Sequence, residues 1–199
     1  PRVLKNAETP IFISPVIGMP LRKAGGGDGN YGASRSRELV GDNSKVEVVS
    51  VEGAHKGYDI QTKQFGDNAP SVLNPGTRIY APISGVVTVG LNKKGTFKKL
   101  TIVGKDLYEG YTVNLFYIKP SIKNNTYITK STIIGTSVDL SFSTENPNEE
   151  GYTKDVQDHI HFEILKEGKY VNPTPGEVIT YEDPAEQFNI LNSNASFKF

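Results

Sequence analysis

Asp158-His159-Ile160-His161-Phe162-Glu163-Ile164 alternates from end to end. In an extended strand successive side chains take opposite faces. His159, His161 and Glu163 therefore share one face, and Ile160, Phe162 and Ile164 share the other. The second face is apolar and suits a core. The first carries two imidazoles and a carboxylate, which is half of a metal site. The third and last histidine lies in Ala54-His55-Lys56-Gly57-Tyr58-Asp59-Ile60, where His55 and Asp59 are four apart and can share a face of extended chain. Nitrogen and carboxylate donors of this kind are what zinc takes in catalytic sites. Three histidines each satisfied by a local hydrogen bond would give the same composition. Their confinement to two such segments favours the metal.

Working outward, other stretches read as strands: Val46 to Val51, Arg78 to Tyr80 leading into Gly85 to Val89, Leu100 to Val103, Tyr111 to Ile118, and Ile133 to Gly135. Turn signals separate them, among them Asn92-Lys93-Lys94-Gly95. Strands about every ten residues with turns between predict an antiparallel, mainly β architecture. Composition agrees, because 20 glycines and 12 prolines accompany apolar residues that are mostly Val, Ile, Tyr or Phe.

The 199 residues suit one domain with arms. Twenty-two basic and 22 acidic side chains balance, which gives no electrostatic reason to expect nucleic acid as a partner. The absence of cysteine excludes disulfide scaffolds, thiol nucleophiles and cysteine-type zinc fingers. No apolar run approaches the ~20 residues of a membrane helix, so no membrane span is expected. The proline-punctuated start lacks the basic-then-apolar pattern of a secretory signal.

Residues 1–29 read as an N-terminal arm and Gly-rich hinge: 1–23 are extended, with Ile11, Phe12 and Ile13 as the apolar stretch, and the glycines begin at Gly25. Residues 30–175 form the expected domain, and 176–199 a tail with a short helix over 184–191. The polar stretch 141–155 reads as a surface loop. Both arms can either pack on their own domain or dock onto other proteins of a larger assembly.

The ordered segments His55-x-Gly57-x-Asp59-Ile60, Gly76-Thr77-Arg78-Ile79-Tyr80-Ala81-Pro82, Gly85-Val86-Val87, Ile134-Gly135, His159-Ile160-His161-Phe162-Glu163 and Tyr170-Val171-Asn172-Pro173 resemble the lysostaphin-type zinc endopeptidases of bacterial cell walls. Tyr31-Gly32-Ala33-Ser34-Arg35 resembles the short element that precedes the family's first histidine. The resemblance implies the family's antiparallel β-sheet or sandwich fold, the duplicated hybrid motif, with His55, Asp59 and His161 as zinc ligands. It implies His159 as a catalytic group beside the metal, and Glu163 can orient an imidazole from behind. The implied activity is zinc-dependent cleavage of peptide bonds in bacterial peptidoglycan through a zinc-activated water, at the cell envelope or outside the cell. A phage particle or secretion machine would then deliver the protein.

One position departs from the family's pattern. Active members carry a further histidine in a Tyr-x-His-Leu segment, and Asn114-Leu115-Phe116-Tyr117-Ile118 puts Tyr117 in its place. A phenol can donate to an oxyanion, but with a pKa of ~10 it is a poor base at neutral pH. Phe116-Tyr117-Ile118-Lys119-Pro120 is also similar to the leukocyte cell-derived chemotaxin-2 branch, which keeps fold and zinc without hydrolysis. Two readings follow: a zinc endopeptidase, or a catalytically weakened zinc-containing binding or structural module, such as a component of a phage tail or injection machine.

Overall fold

The computed structural model describes residues 10–16, 31–33, 35–40, 46–51, 55–60, 75–92, 96–140, 158–173 and 180–182; for 35–40, 46–51 and 182 it describes the backbone alone. The strands are β1 (Phe12–Ile13), β2 (Arg35–Val40), β3 (Val46–Val51), β4 (Tyr58–Ile60), β5 (Arg78–Tyr80), β6 (Gly85–Leu91) and β7 (Lys98–Gly104). They continue with β8 (Tyr111–Phe116), β9 (Ile118–Pro120), β10 (Thr126–Ile128), β11 (Ile133–Ser137), β12 (Ile160–Lys166), β13 (Lys169–Val171) and β14 (Tyr181–Glu182). One short 3-10 turn lies at Asp106–Tyr108. The expected mainly β, antiparallel architecture is what the chain forms.

The main sheet runs β10-β6-β7-β8-β12-β13, with β4 also beside β12. A second sheet runs β5-β11-β9, and β2 pairs with β3. All these pairs are antiparallel. Register stacks the inward side chains in rows across the main sheet. Ile164, Val113, Ile102 and Val87 form one row, and Phe162, Leu115 and Leu100 the next. All are fully buried, in one cluster with Ile79, Ile118 and Ile134 of the second sheet. The opposite face of the same strands is free to carry chemistry.

The single strand expected over Tyr111 to Ile118 is broken. Tyr117 takes φ 66°, a left-handed conformation uncommon for a bulky residue. Its N–H donates to the Lys98 carbonyl at 3.2 Å. The chain leaves the main sheet at Phe116 and joins the second sheet at Ile118, beside β11. Eight residues in one straight strand could not serve both sheets.

Asn92 closes the β6–β7 hairpin: its N–H donates to the Phe97 carbonyl, and its side-chain oxygen accepts from the N–H groups of Thr96 and Phe97. Residues 93–95 lie outside the described residues, as do the Gly-rich hinge, the loop expected over 141–155 and the helix expected over 184–191. Among the described residues no helix is long and apolar enough to cross a membrane.

Phe12 and Ile13 pack on this domain. β1 lies parallel to β14, and both side chains are fully buried. The Phe12 ring meets Tyr108, Tyr111 and Tyr181 edge-on, with centroids 5.7, 5.3 and 6.2 Å away. The Tyr108 hydroxyl donates to the Ile11 carbonyl at 2.6 Å. Phe12→Ala should therefore cost about 3–5 kcal/mol of folding stability, read by urea denaturation. A loss below ~1 kcal/mol would show that the site collapses around the missing ring.

Candidate metal centre

His55 precedes β4 in a short extended segment and is clamped through its backbone. Its N–H donates to the Ala33 carbonyl at 3.1 Å, and its carbonyl accepts from the Gly32 N–H at 2.8 Å. The Tyr31–Ala33 element thus fixes the first histidine. Asp59, at the middle of β4, pairs directly with His161 of β12. Antiparallel neighbours in register point to the same side of a sheet, so carboxylate and imidazole converge without any contribution from loops.

Three atoms form a tight triangle. His55 Nε2 is 3.1 Å from Asp59 Oδ1 and 3.0 Å from His161 Nδ1, and His161 Nδ1 is 2.8 Å from Asp59 Oδ1. His55 and Asp59 are buried, and His161 is half-buried. Ligands ~2.0–2.1 Å from a tetrahedral zinc lie roughly 3.3 Å apart. The triangle is close to that size, and its two nitrogens and one oxygen are donors zinc accepts. The residues fit the metal.

Electrostatics point the same way. Burial alone would raise the Asp59 pKa, but hydrogen bonds from His161 and His55, with the charges of His159 and His161, hold it well below the ordinary carboxylate range. Burial would lower the His161 pKa, yet hydrogen bonds to Asp59 and Glu163 and their charges push it up to about 9. In the metal-free protein positive charge is drawn to this point by the same groups that would hold a cation.

His159 lies one residue before β12, where Asp158 anchors the chain by accepting the Leu140 N–H at 2.8 Å. Its Nε2 is 3.8 Å from Asp59 Oδ1, at the edge of the triangle and outside it. The Tyr117 ring stands edge-on to His159, centroids 5.1 Å apart, and edge-on to Phe97 at 5.4 Å. The left-handed turn at Tyr117 brings it to this place. All the residues singled out in the sequence (His55, Asp59, His159, His161, Glu163 and Tyr117) are thus gathered at one end of β12.

Glu163 is buried behind the triangle and accepts from His161 Nε2 at 3.2 Å. Four further neighbours were not singled out as site residues in the sequence. Asn114 of β8 donates through Nδ2 to Glu163 Oε2 at 2.9 Å. The Phe116 ring covers His161 edge-on at 5.3 Å, and Lys99 Nζ lies 5.2 Å from the Phe116 centroid. Gly57 is pressed against β12: a Cβ there would sit 2.6 Å from the Phe162 carbonyl oxygen and 2.7 Å from His161 Nε2. The signal for Asn114 was a polar residue inside an apolar strand, but its partner depends on register.

The model of peptidase family M23 matches residues 53–173, more than half of the chain. No curated protein matches the sequence significantly. Among solved structures, a zinc containing peptidase from Vibrio cholerae aligns at 16% identity over 85% of this chain and 41% of its own, with a TM-score of 0.45. Lysostaphin from Staphylococcus simulans aligns at 20% identity over 85% of this chain and 50% of its own, TM-score 0.44. LytU aligns at 21% identity over 71% and 82%, TM-score 0.42. This chain spans half or less of the first two.

Proposed function

This chain belongs to peptidase family M23, and on that premise we propose that it is a zinc-dependent endopeptidase cleaving peptide bonds of bacterial peptidoglycan at the cell envelope. The observation that carries the proposal is the triangle of His55 Nε2, Asp59 Oδ1 and His161 Nδ1. When bound, zinc supplies Lewis-acid polarisation of the scissile carbonyl and a water acidified to a pKa near ~7. The three side chains would hold the cation with one negative charge between them.

His159 stands next to the triangle, its Nε2 3.8 Å from Asp59 Oδ1. It takes the proton from the attacking water and returns it to the departing amine, a role worth ~10²–10⁴-fold. Tyr117 lies against His159. A phenol is a poor base at neutral pH, so its hydroxyl serves as a hydrogen-bond donor to the oxygen that gains charge. Its left-handed backbone is a local cost of the kind held at functional positions.

Purified protein is to be mixed with peptidoglycan of known cross-link types, with and without zinc, and the fragments read by mass spectrometry. Zinc-dependent release that disappears in His55→Ala is the expected result. Tyr117→Phe should keep its zinc and lose on the order of 10²-fold in turnover.

The tyrosine also favours a second reading, in which the domain keeps zinc as a structural element and holds a wall peptide without cutting it. The Phe116–Pro120 segment leans toward the non-hydrolytic branch in the same way. One zinc per chain with no released fragment from any cross-link type would select that reading and reject the peptidase.

A further inference from the structure

Thr101 on β7, Asn114 on β8, Glu163 and His161 on β12 all lie on the face of the main sheet away from the core. Register sets Thr101 opposite Asn114 and Asn114 opposite Glu163. The hydrogen bonds follow that row. Thr101 Oγ1 is 2.8 Å from Asn114 Oδ1, Asn114 Nδ2 is 2.9 Å from Glu163 Oε2, and Glu163 Oε1 is 3.2 Å from His161 Nε2.

The direction of every bond in the row is determined. A carboxylate only accepts, and Glu163 meets both a ring nitrogen of His161 and the Asn114 side chain. Asn114 must therefore present its amide N–H₂ to Glu163, which leaves its carbonyl oxygen toward β7. That oxygen accepts, so the Thr101 hydroxyl donates. At the other end Glu163 accepts from His161 Nε2–H. In the neutral imidazole that a metal requires, a proton held on Nε2 leaves the lone pair on Nδ1, the atom that faces His55 and Asp59. Asn114 and Glu163 are both buried, and among the described residues no buried side-chain polar atom lacks a partner.

We propose that Asn114, backed by Thr101, is a positioning residue of the metal centre: it holds Glu163 in the orientation that locks the His161 tautomer and ring, and so sets the metal affinity from two strands away. The inference rests on the metal-centre reading above. A sheet row suits the task, since each member is fixed by backbone register and only the side-chain torsions remain to be held.

The test measures zinc affinity by competition with a chromophoric chelator, together with the visible spectrum of the cobalt(II)-substituted protein. Wild type, Asn114→Leu, Thr101→Val and Thr101→Ser are compared. Asn114→Leu should weaken zinc by about 10–100-fold and change the cobalt spectrum. Thr101→Val should weaken it less, and Thr101→Ser, which restores the hydroxyl, should return to wild type. Wild-type affinity and spectrum in both Asn114→Leu and Thr101→Val would overturn the proposal, even if melting temperature fell, because the row would then be structural only. If Asn114→Leu does not fold, the contrast between Thr101→Val and Thr101→Ser decides alone. A wild-type protein that binds no zinc would instead remove the metal centre itself, and the proposal with it.

Discussion

Gly57→Ala is expected to cut zinc affinity by about 10–100-fold, in line with the loss of a ligand's support, and to cost about 1–3 kcal/mol of folding stability as an overpacking substitution. The added methyl has two neighbours inside contact distance. One is the Phe162 carbonyl oxygen at 2.6 Å, part of the β12 backbone. The other is His161 Nε2 at 2.7 Å, held by its bond to Glu163. The imidazole is the softer of the two, so it yields first. Turning the ring breaks the Nε2–Glu163 contact and swings Nδ1 out of the triangle. Chelator competition and thermal melting read the two effects separately. Wild-type zinc affinity in Gly57→Ala would mean that β4 shifts as a unit and carries Asp59 with it.

The second large effect separates two histidines only two residues apart. His161→Ala should lose its zinc, because two remaining donors leave the cation without the third point that defines the site. His159→Ala should keep one zinc per chain and lose any hydrolytic activity by at least ~10²-fold, as expected for a proton-transfer group. Stability supplies a readout independent of turnover. A ligand present at 1,000 times its Kd stabilises a fold by ~4 kcal/mol. Added zinc should thus raise the melting temperature of wild type and His159→Ala, and chelation should reverse the rise. The melting temperature of His161→Ala should not respond. Equal zinc loss in both variants would refute the division of roles.

The parts of this site that could be read from the sequence are those where local geometry dictates the outcome. Alternation alone separates His161 and Glu163 from Ile160, Phe162 and Ile164, and those three isoleucine and phenylalanine side chains are fully buried. The meeting of His55 and Asp59 with His161 is a tertiary event across about a hundred residues, and it was legible only through the family's ordered motifs. Asn114 was hidden for a related reason: its partners Thr101 and Glu163 are chosen by the register of β7, β8 and β12. The break at Tyr117 escaped because the run from Leu115 to Ile118 is as β-prone as any strand, while the turn is imposed by the two sheets it joins. Short strands such as Thr126–Ile128 and Lys169–Val171 owe their form to neighbours more than to propensity. For Phe12 the sequence left packing on its own domain and docking elsewhere both open, because its enclosing tyrosines are distant in the chain.

The parallel pairing of β1 with β14 has a mechanical side. In that pair Phe12 lies beside Tyr181 and Ile13 beside Glu182, with the Phe12 N–H donating to the Thr180 carbonyl. The chain enters the pair at the start of one strand and leaves it at the end of the other. Tension carried through the two flanks therefore pulls the strands in opposite senses along their length. Contacts loaded this way are sheared together instead of being peeled one by one, with the Phe12 ring wedged among its tyrosines as a catch. A domain tethered from both sides would meet traction in shear at this pair, next to Phe162 of β12, whose ring packs on Tyr181.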